Sequence, residues 1–280
     1  MPQMEPPPGV ALVDSITSVA QVARSKVAVS GSHGGAYAAA CALAMGLPAA
    51  VFNDAGRGRG DAGIAGLDLL QRHRVPALAV SHDSARIGDA RDGWVNGRVS
   101  AANEPALACG VRTGMAVPQA CALLPRGRRT PVLTSEYAEA RRTVVLAEGV
   151  DVVVVDSNSL VLAQDDGAVV VTGSHGGLLG GDPASAIRCA ARAAFYNDAG
   201  LGKDCAGISR LPVLDRLGIA GVAVGAATAR IGDGMSTLRD GVVSHCNAIA
   251  RRLGVEPGMP AAVAARLLHL KSPEGPSNDE

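Results

Sequence analysis

Three polar motifs in the first half of the chain return in the second, in the same order. Val29-Ser30-Gly31-Ser32-His33-Gly34-Gly35 recurs as Val171-Thr172-Gly173-Ser174-His175-Gly176-Gly177. Asn53-Asp54-Ala55-Gly56 recurs as Asn197-Asp198-Ala199-Gly200, and Ala85-Arg86-Ile87-Gly88-Asp89 as Ala229-Arg230-Ile231-Gly232-Asp233. The offset is 142 residues from His33 to His175 and 144 from Arg86 to Arg230, so the second copy carries a small insertion between its first two motifs. Upstream, Val13-Asp14-Ser15 matches Val155-Asp156-Ser157. Downstream, Gly110-Val111 and Gly114-Met115 match Gly254-Val255 and Gly258-Met259. So long a period is a duplicated domain, not a solenoid. The expected organisation is a first repeat over 9–124, a linker over 125–151 and a second repeat over 152–270. The tails 1–8 and 271–280 lack an apolar pattern and are expected to be disordered.

Within each copy, strand-like and helix-like patterns alternate. A β-branched run (Val27–Ser30; Val169–Thr172) ends in the first glycine turn. An Ala-rich helix is expected next, near 36–46 and 184–192. Apolar runs 49–53 and 193–197 lead to the second motif, followed by helices near 62–73 and 206–217. Third strands, 77–81 and 221–225, run toward the Ala-Arg-Ile-Gly-Asp motif. Two short helices close each copy, near 100–109 and 116–124, and near 244–253 and 260–269. Within the linker, 136–148 reads as helical. The fold class is therefore α/β: two tandem pseudo-symmetric repeats, each a mostly parallel or mixed sheet flanked by helices.

Composition narrows the function. Lys+Arg and Asp+Glu both number 26, so no global field draws the chain to nucleic acid or to an anionic membrane. Aromatic residues make up 2% of the chain, too few for base stacking. The local basic cluster of Arg126, Arg128, Arg129, Arg141 and Arg142 reads as a solvated linker face. Six cysteines without a CxxC pair fit a reducing compartment, and the N-terminal residues lack a signal-peptide pattern. Residues 36–52 are apolar but broken by Gly46 and Pro48, so no membrane span is expected. The expected location is cytoplasmic. No Walker A lysine pattern, strand-to-helix GxGxxG, HExxH or GxSxG elbow occurs.

All three motifs fall at strand ends, where open α/β sheets bind ligands. In the first, glycines permit a tight turn and close backbone approach, and the next helix would point free N–H groups at an anion. Ser32, Gly34 and Gly35, with Ser174, Gly176 and Gly177, are thus candidate substrate contacts. His33 and His175 are the only histidines shared by the copies and are candidate proton carriers; each could instead simply bond its own turn. Asp54 and Asp198 could orient those histidines, act as bases or bind a cation. Together with Asn53 and Asn197 they could equally form Asx turns. Arg86 and Arg230 could fork onto a carboxylate, or bridge internally to Asp89 and Asp233. Asn103 and Asn247 also match and could cap helices. Where the first copy has Arg59-Gly60-Asp61, the second has Lys203-Asp204-Cys205. Cys205 would sit at a helix N-terminus beside a lysine, which favours a thiolate; a packed, inert thiol is the alternative.

One stretch resembles a known family. Cys205-Ala206-Gly207-Ile208, Leu214, Leu217-Gly218-Ile219, Ala223-Val224-Gly225, Gly254-Val255 and Gly258-Met259 resemble the small YunC-like domains over about 200–268. The resemblance implies a compact α/β fold and no particular reaction, because that family is functionally uncharacterised. The first copy departs from it with Asp61 in place of Cys205.

The expected function is an enzyme acting on a small anionic, carboxylate-bearing metabolite, a hydrolase or lyase using histidine acid–base chemistry. No organic cofactor is expected. A divalent metal held by His with Asp54, Asp89 or Asp204 is an open variant, although no compact ligand spacing fixes it. A homo-oligomer is compatible with the sequence. Two rivals remain: a non-catalytic metabolite-binding or regulatory module using the same loops, and a structural role in which the motifs only join the halves.

Overall fold

The computed structural model describes residues 5–21, 26–127, 129–133 and 137–271. Its two halves each build one sheet, with strands lying side by side in chain order. The first sheet holds β1 (Val10–Val13), β2 (Val27–His33), β3 (Ala50–Asn53), β4 (Ala77–Val80) and β5 (Val99–Ala102). β1 to β4 are parallel and β5 returns antiparallel. The second holds β6 (Arg141–Ala147), β7 (Val150–Val155), β8 (Val169–His175), β9 (Ala193–Asn197), β10 (Ala220–Val224) and β11 (Val243–Cys246). β7 to β10 are parallel; β6 and β11 are antiparallel edges. The fold class read from the sequence is the one observed.

Alternation along buried strands sends successive side chains to opposite faces. In β2, Val27 and Val29 pack with Trp94 of α3 (Ala90–Asn96), Ala106 of α4 (Glu104–Ala108) and Val117 and Ala120 of α5 (Val117–Leu123). Ala28 faces the other way, toward Ala39 and Leu43 of α1 (Ala36–Ala44) and Leu67 and Leu70 of α2 (Gly66–Arg72). The second sheet repeats the layering. α7 (Gly234–Asp240), α8 (Ala248–Arg252) and α9 (Ala261–Leu270) cover one face, and α6 (Leu211–Arg216) covers the other through Leu214. Alanine-rich strands let these helices approach closely, and burying a side chain such as Leu70 or Leu214 contributes about 1.5–3 kcal/mol.

Several expected elements differ. Over 141–147 the chain is an edge strand of the second sheet, not a linker helix, because Thr143-Val144-Val145 is β-branched and β7 offers an open edge. Arg141 is no solvated linker residue: it pairs with buried Asp165 at 2.5 Å. Arg128, residues 134–136 and the tails 1–4 and 272–280 lie outside the described residues. Edge strands β5 and β11 occupy the starts of helices expected near 100 and 244. Helices α3 and α7 follow the third motif, capped by Asp89 and Asp233. Asn103 and Asn247 cap α4 and α8. Over 184–192 there is no α-helix, only a 3-10 turn at Pro183–Ser185, for a reason given below. Among the described residues no helix is long and apolar enough to cross a membrane.

The halves meet about a pseudo-twofold axis, and repeated residues make the junction. The Arg59 N–H donates to the Ala226 carbonyl and the Lys203 N–H to the His82 carbonyl, both at 2.8 Å, and these are equivalent bonds under the 144-residue offset. Gly56 and Gly200 face each other so closely that a Cβ on either would lie 3.1 Å from the other's Cα. Ala55, Ile87, Ala199, Ala206 and Ile231 form one small apolar cluster. Lys203 reaches Asp92 at 2.7 Å and Arg86 reaches Asp204 at 3.0 Å across the junction.

Candidate functional site

The second and third motifs are taken up by the fold. Asn53 donates to the Ala85 carbonyl and accepts from Ala55 N–H; Asn197 does the same with Ala229 and Ala199. Asp54 accepts from Gly56 N–H, His82 N–H and the His82 ring, and Asp198 from Gly200 N–H and Ala226 N–H. Asp54 is therefore not the partner of His33. Burial alone would raise its pKa, but the bonds from His82 outweigh this and hold it below the usual carboxylate value, while raising that of His82. Arg86 is ringed by Asp89, Asp92 and Asp204 at 3.3, 3.4 and 3.0 Å, so its charge is spent internally. Arg230 is exposed beside Gly60 of the other half.

The first motif behaves differently. His33 and His175 line one cavity between the halves, about 340 Å³ in volume. Its lining repeats across the axis: Ser15, Thr17 and Ser32 from one half, Ser157, Ser159 and Ser174 from the other. Strand ends deliver these groups. Gly31 lets the third-motif loop close on β2, since a Cβ there would meet Asp89 N and Gly88 C at 2.6 Å. The Ser32 hydroxyl accepts from Ile16 N–H and the Ser174 hydroxyl from Asn158 N–H, fixing the Asp-Ser loops; each hydroxyl keeps its own hydrogen to donate.

The expected backbone anion nest does not form. Gly34 and Gly176 N–H donate to the Asn53 and Asn197 carbonyls. Gly35 and Gly177 N–H donate to Nδ1 of His33 and His175, at 3.1 and 3.2 Å. An Nδ1 that accepts carries no proton, so each neutral ring holds its hydrogen on Nε2. Burial lowers the His33 pKa to about 4 and that of His175 well below the ordinary value, the latter helped by Arg210 and His33. At neutral pH both rings are uncharged N–H donors.

The charged groups of the cavity break the symmetry. Arg210 stands where the first copy has Gly66; the equivalence is fixed by Gly66 N–H to Gly34 O and Arg210 N–H to Gly176 O, at 2.8 and 2.9 Å. A Cβ on Gly66 would strike Ala39 and the Gly34 and Gly35 carbonyls, so α1 exists because residue 66 has no side chain. In the second copy the guanidinium of Arg210 fills that space. It donates to the Ser185 and Ala186 carbonyls and stacks 5.1 Å over Tyr196, which is why 184–192 cannot coil as α1 does. Arg210 is 3% exposed, no carboxylate pairs with it among the described residues, and its Nε has no partner. Burial lowers its pKa. Arg188, whose guanidinium donates to the Ser159 carbonyl, lines the same cavity. Opposite contributions come from Tyr37 of α1 and Glu139.

Cys205 is exposed and lies in a 3-10 segment at φ 54°, not at an α-helix N-terminus, and Lys203 turns away to Asp92. The thiolate-stabilising setting expected for it is absent. Among the described residues no three His, Cys, Asp or Glu side chains gather in metal-ligating geometry; Asp54, Asp89 and Asp204 are held by His82 and Arg86. Sequence reasoning missed Arg210, Arg188, Tyr37 and Glu139. For Arg210 the signal was a difference between the copies, Gly66 against Arg210, and for Tyr37 it was Tyr37 against Leu179. Comparison with family models, curated proteins and solved structures yields no match. The resemblance of 200–268 to YunC-like domains thus rests on its own residues.

Proposed function

We propose that the protein is an enzyme acting on a small carboxylate-bearing metabolite in the cavity between its halves, and that it is a hydrolase or lyase working by proton transfer. The supporting observation is Arg210, a buried guanidinium that lines the cavity with no carboxylate among the described residues to neutralise it. An unpaired buried charge is costly, and an anionic ligand is the partner that would offset that cost. Arg188 would add charge at the mouth and the serine hydroxyls would donate to ligand oxygens. The Nε2–H groups of His33 and His175 would polarise a carbonyl or protonate a leaving group.

The test is a turnover screen of small carboxylates with His33→Asn and His175→Asn. Loss of about 100-fold or more in kcat for at least one variant is expected. Turnover indifferent to both changes would defeat this reading. One observation favours a binding module instead: rings whose pKa burial lowers, His33 to about 4, and whose Nδ1 is tied to the backbone are poor bases. That reading gains if Arg210→Met weakens ligand binding while no turnover is found for any carboxylate.

A further inference from the structure

Neutral histidines that donate through Nε2 are not resting bases, and the other carboxylates lining the cavity are engaged by backbone N–H groups, Asp156 by Ala140 and Gly234 and Asp182 by Ala184. We infer that Glu139, carried into the cavity by the segment that joins the halves, is its proton-transferring carboxyl, with Tyr37 as hydrogen-bond partner. This rests on the reading that the cavity binds a carboxylate. Glu139 lines the same cavity as Tyr37, Ser157 and Ser159, beside their hydroxyls, and has no arginine or lysine partner among the described residues. Tyr37 comes from α1 of the first half and the serines follow β7 of the second, so one carboxyl faces both halves at once. No position of the duplicated frame can supply a second Glu139, because it lies outside the repeat. With Arg210 against Gly66 and Tyr37 against Leu179, the symmetric rows of hydroxyls and histidines carry one asymmetric set of charges. Each chain therefore has one composite site, its anion-binding end at Arg210 and Arg188 and its proton-transferring end at Glu139 and Tyr37.

The environment suits that role. The titratable and charged groups facing Glu139 and its cavity are Tyr37 and Cys41 on α1, His33 on β2, Asp156 after β7, His175 on β8, and Asp182, Arg188 and Arg210 on the loops of the second half. Burial raises the carboxyl to about 7, the hydroxyl bonds oppose this only in part, and Asp156 adds to it. Burial, Cys41 and Glu139 push the Tyr37 phenol up, so it stays protonated and donates. In the forward step an ionised Glu139 oxygen forms an O–H bond as a substrate C–H or O–H bond breaks. The electron pair stays on the substrate, next to the histidine N–H donors. Return of the same proton restores the carboxylate.

The test is isothermal titration of the full-length protein with succinate, malate and citrate at pH 7.5, in buffers of different ionisation enthalpy. A bound anion raises a neighbouring carboxyl by about one unit, which gives uptake of about half a proton per chain. His33, titrating near 4, contributes none at this pH. Expected is such uptake in the wild type and its loss in Glu139→Gln with affinity kept within about tenfold. Tyr37→Phe, which removes a bond to the charged form, should move the uptake midpoint to higher pH; it serves as the second variant should Glu139→Gln not fold. Unchanged uptake in Glu139→Gln, or an unmoved midpoint in Tyr37→Phe, overturns the role of Glu139 while leaving the anion site standing. Absence of binding by all three acids overturns the anion site and this inference with it.

Discussion

His33 and Glu139 pull stability in opposite directions over the same pH range, and removing either should unmask the other. An ordinary histidine titrates at 6.5 and His33 near 4. Between those values the unfolded chain binds a proton that the folded chain refuses. Stability from His33 is therefore full above 6.5 and is lost as pH falls toward 4. Glu139 is raised from 4.5 to about 7, so its contribution is full below 4.5 and is lost as pH rises through 7. Each gap corresponds to about 3 kcal/mol, and solvent reaching the cavity would cut that to about 1.5. Over pH 7.5 to 4.5 the two largely cancel in the wild type, with His175 adding to the histidine side. On acidification, Glu139→Gln should lose about 1.5–3 kcal/mol more than wild type, and His33→Asn should lose less by a similar amount. Urea unfolding followed by Trp94, the single and fully buried tryptophan, reads both. Variants whose stability runs parallel to wild type across this range would refute the assigned environments of both groups.

Gly31→Ala should cost about 3 kcal/mol or more, or prevent folding, since its Cβ would meet backbone atoms at 2.6–2.8 Å on two sides. Gly93→Ala, in α3 with nothing within 4 Å, should instead stabilise by about 0.5–1 kcal/mol; chemical denaturation measures both. Lys203→Met removes the 2.7 Å pair with Asp92 but leaves Arg86 and Asn96 on that carboxylate. A loss of about 1–3 kcal/mol in urea unfolding is expected, and no loss would show that the charges across the junction do not hold the halves together.

The duplication made the fold readable, because motifs conserved between two copies of one chain mark strand ends without any other sequence. It also misled in a physical way. Asn53, Asp54 and Ile87 recur with Asn197, Asp198 and Ile231 because both copies need the same turns and the same junction, so their repetition reported structure. Of the three motifs, the histidine motif turns its side chains to the cavity, and the third adds only Gly232. Apart from Asp156, which matches Asp14, the residues that give the cavity its charge are those the copies do not share. Arg210 was hidden by its alignment with a glycine, and only the packing of α1 on Gly66 shows why one copy needs no side chain there. Glu139 left no trace, since it lies in a segment whose β-branched edge strand read as a charged helix. Periodicity likewise failed over 184–192, where bonds to a distant arginine and to Tyr196, not local propensity, decide the backbone.

The central claim is that Arg210 makes the cavity between the halves an anion site. Thermal unfolding of wild type, Arg210→Met and Arg188→Ala with a panel of small carboxylates and inorganic phosphate tests it most directly. A ligand at 100 times its Kd adds about 2.7 kcal/mol, a rise in Tm of about 5 °C for a chain of this size. The account predicts such a rise for at least one carboxylate in the wild type, a smaller one in Arg188→Ala and none in Arg210→Met. Equal rises in wild type and Arg210→Met, or no rise with any anion, would contradict it.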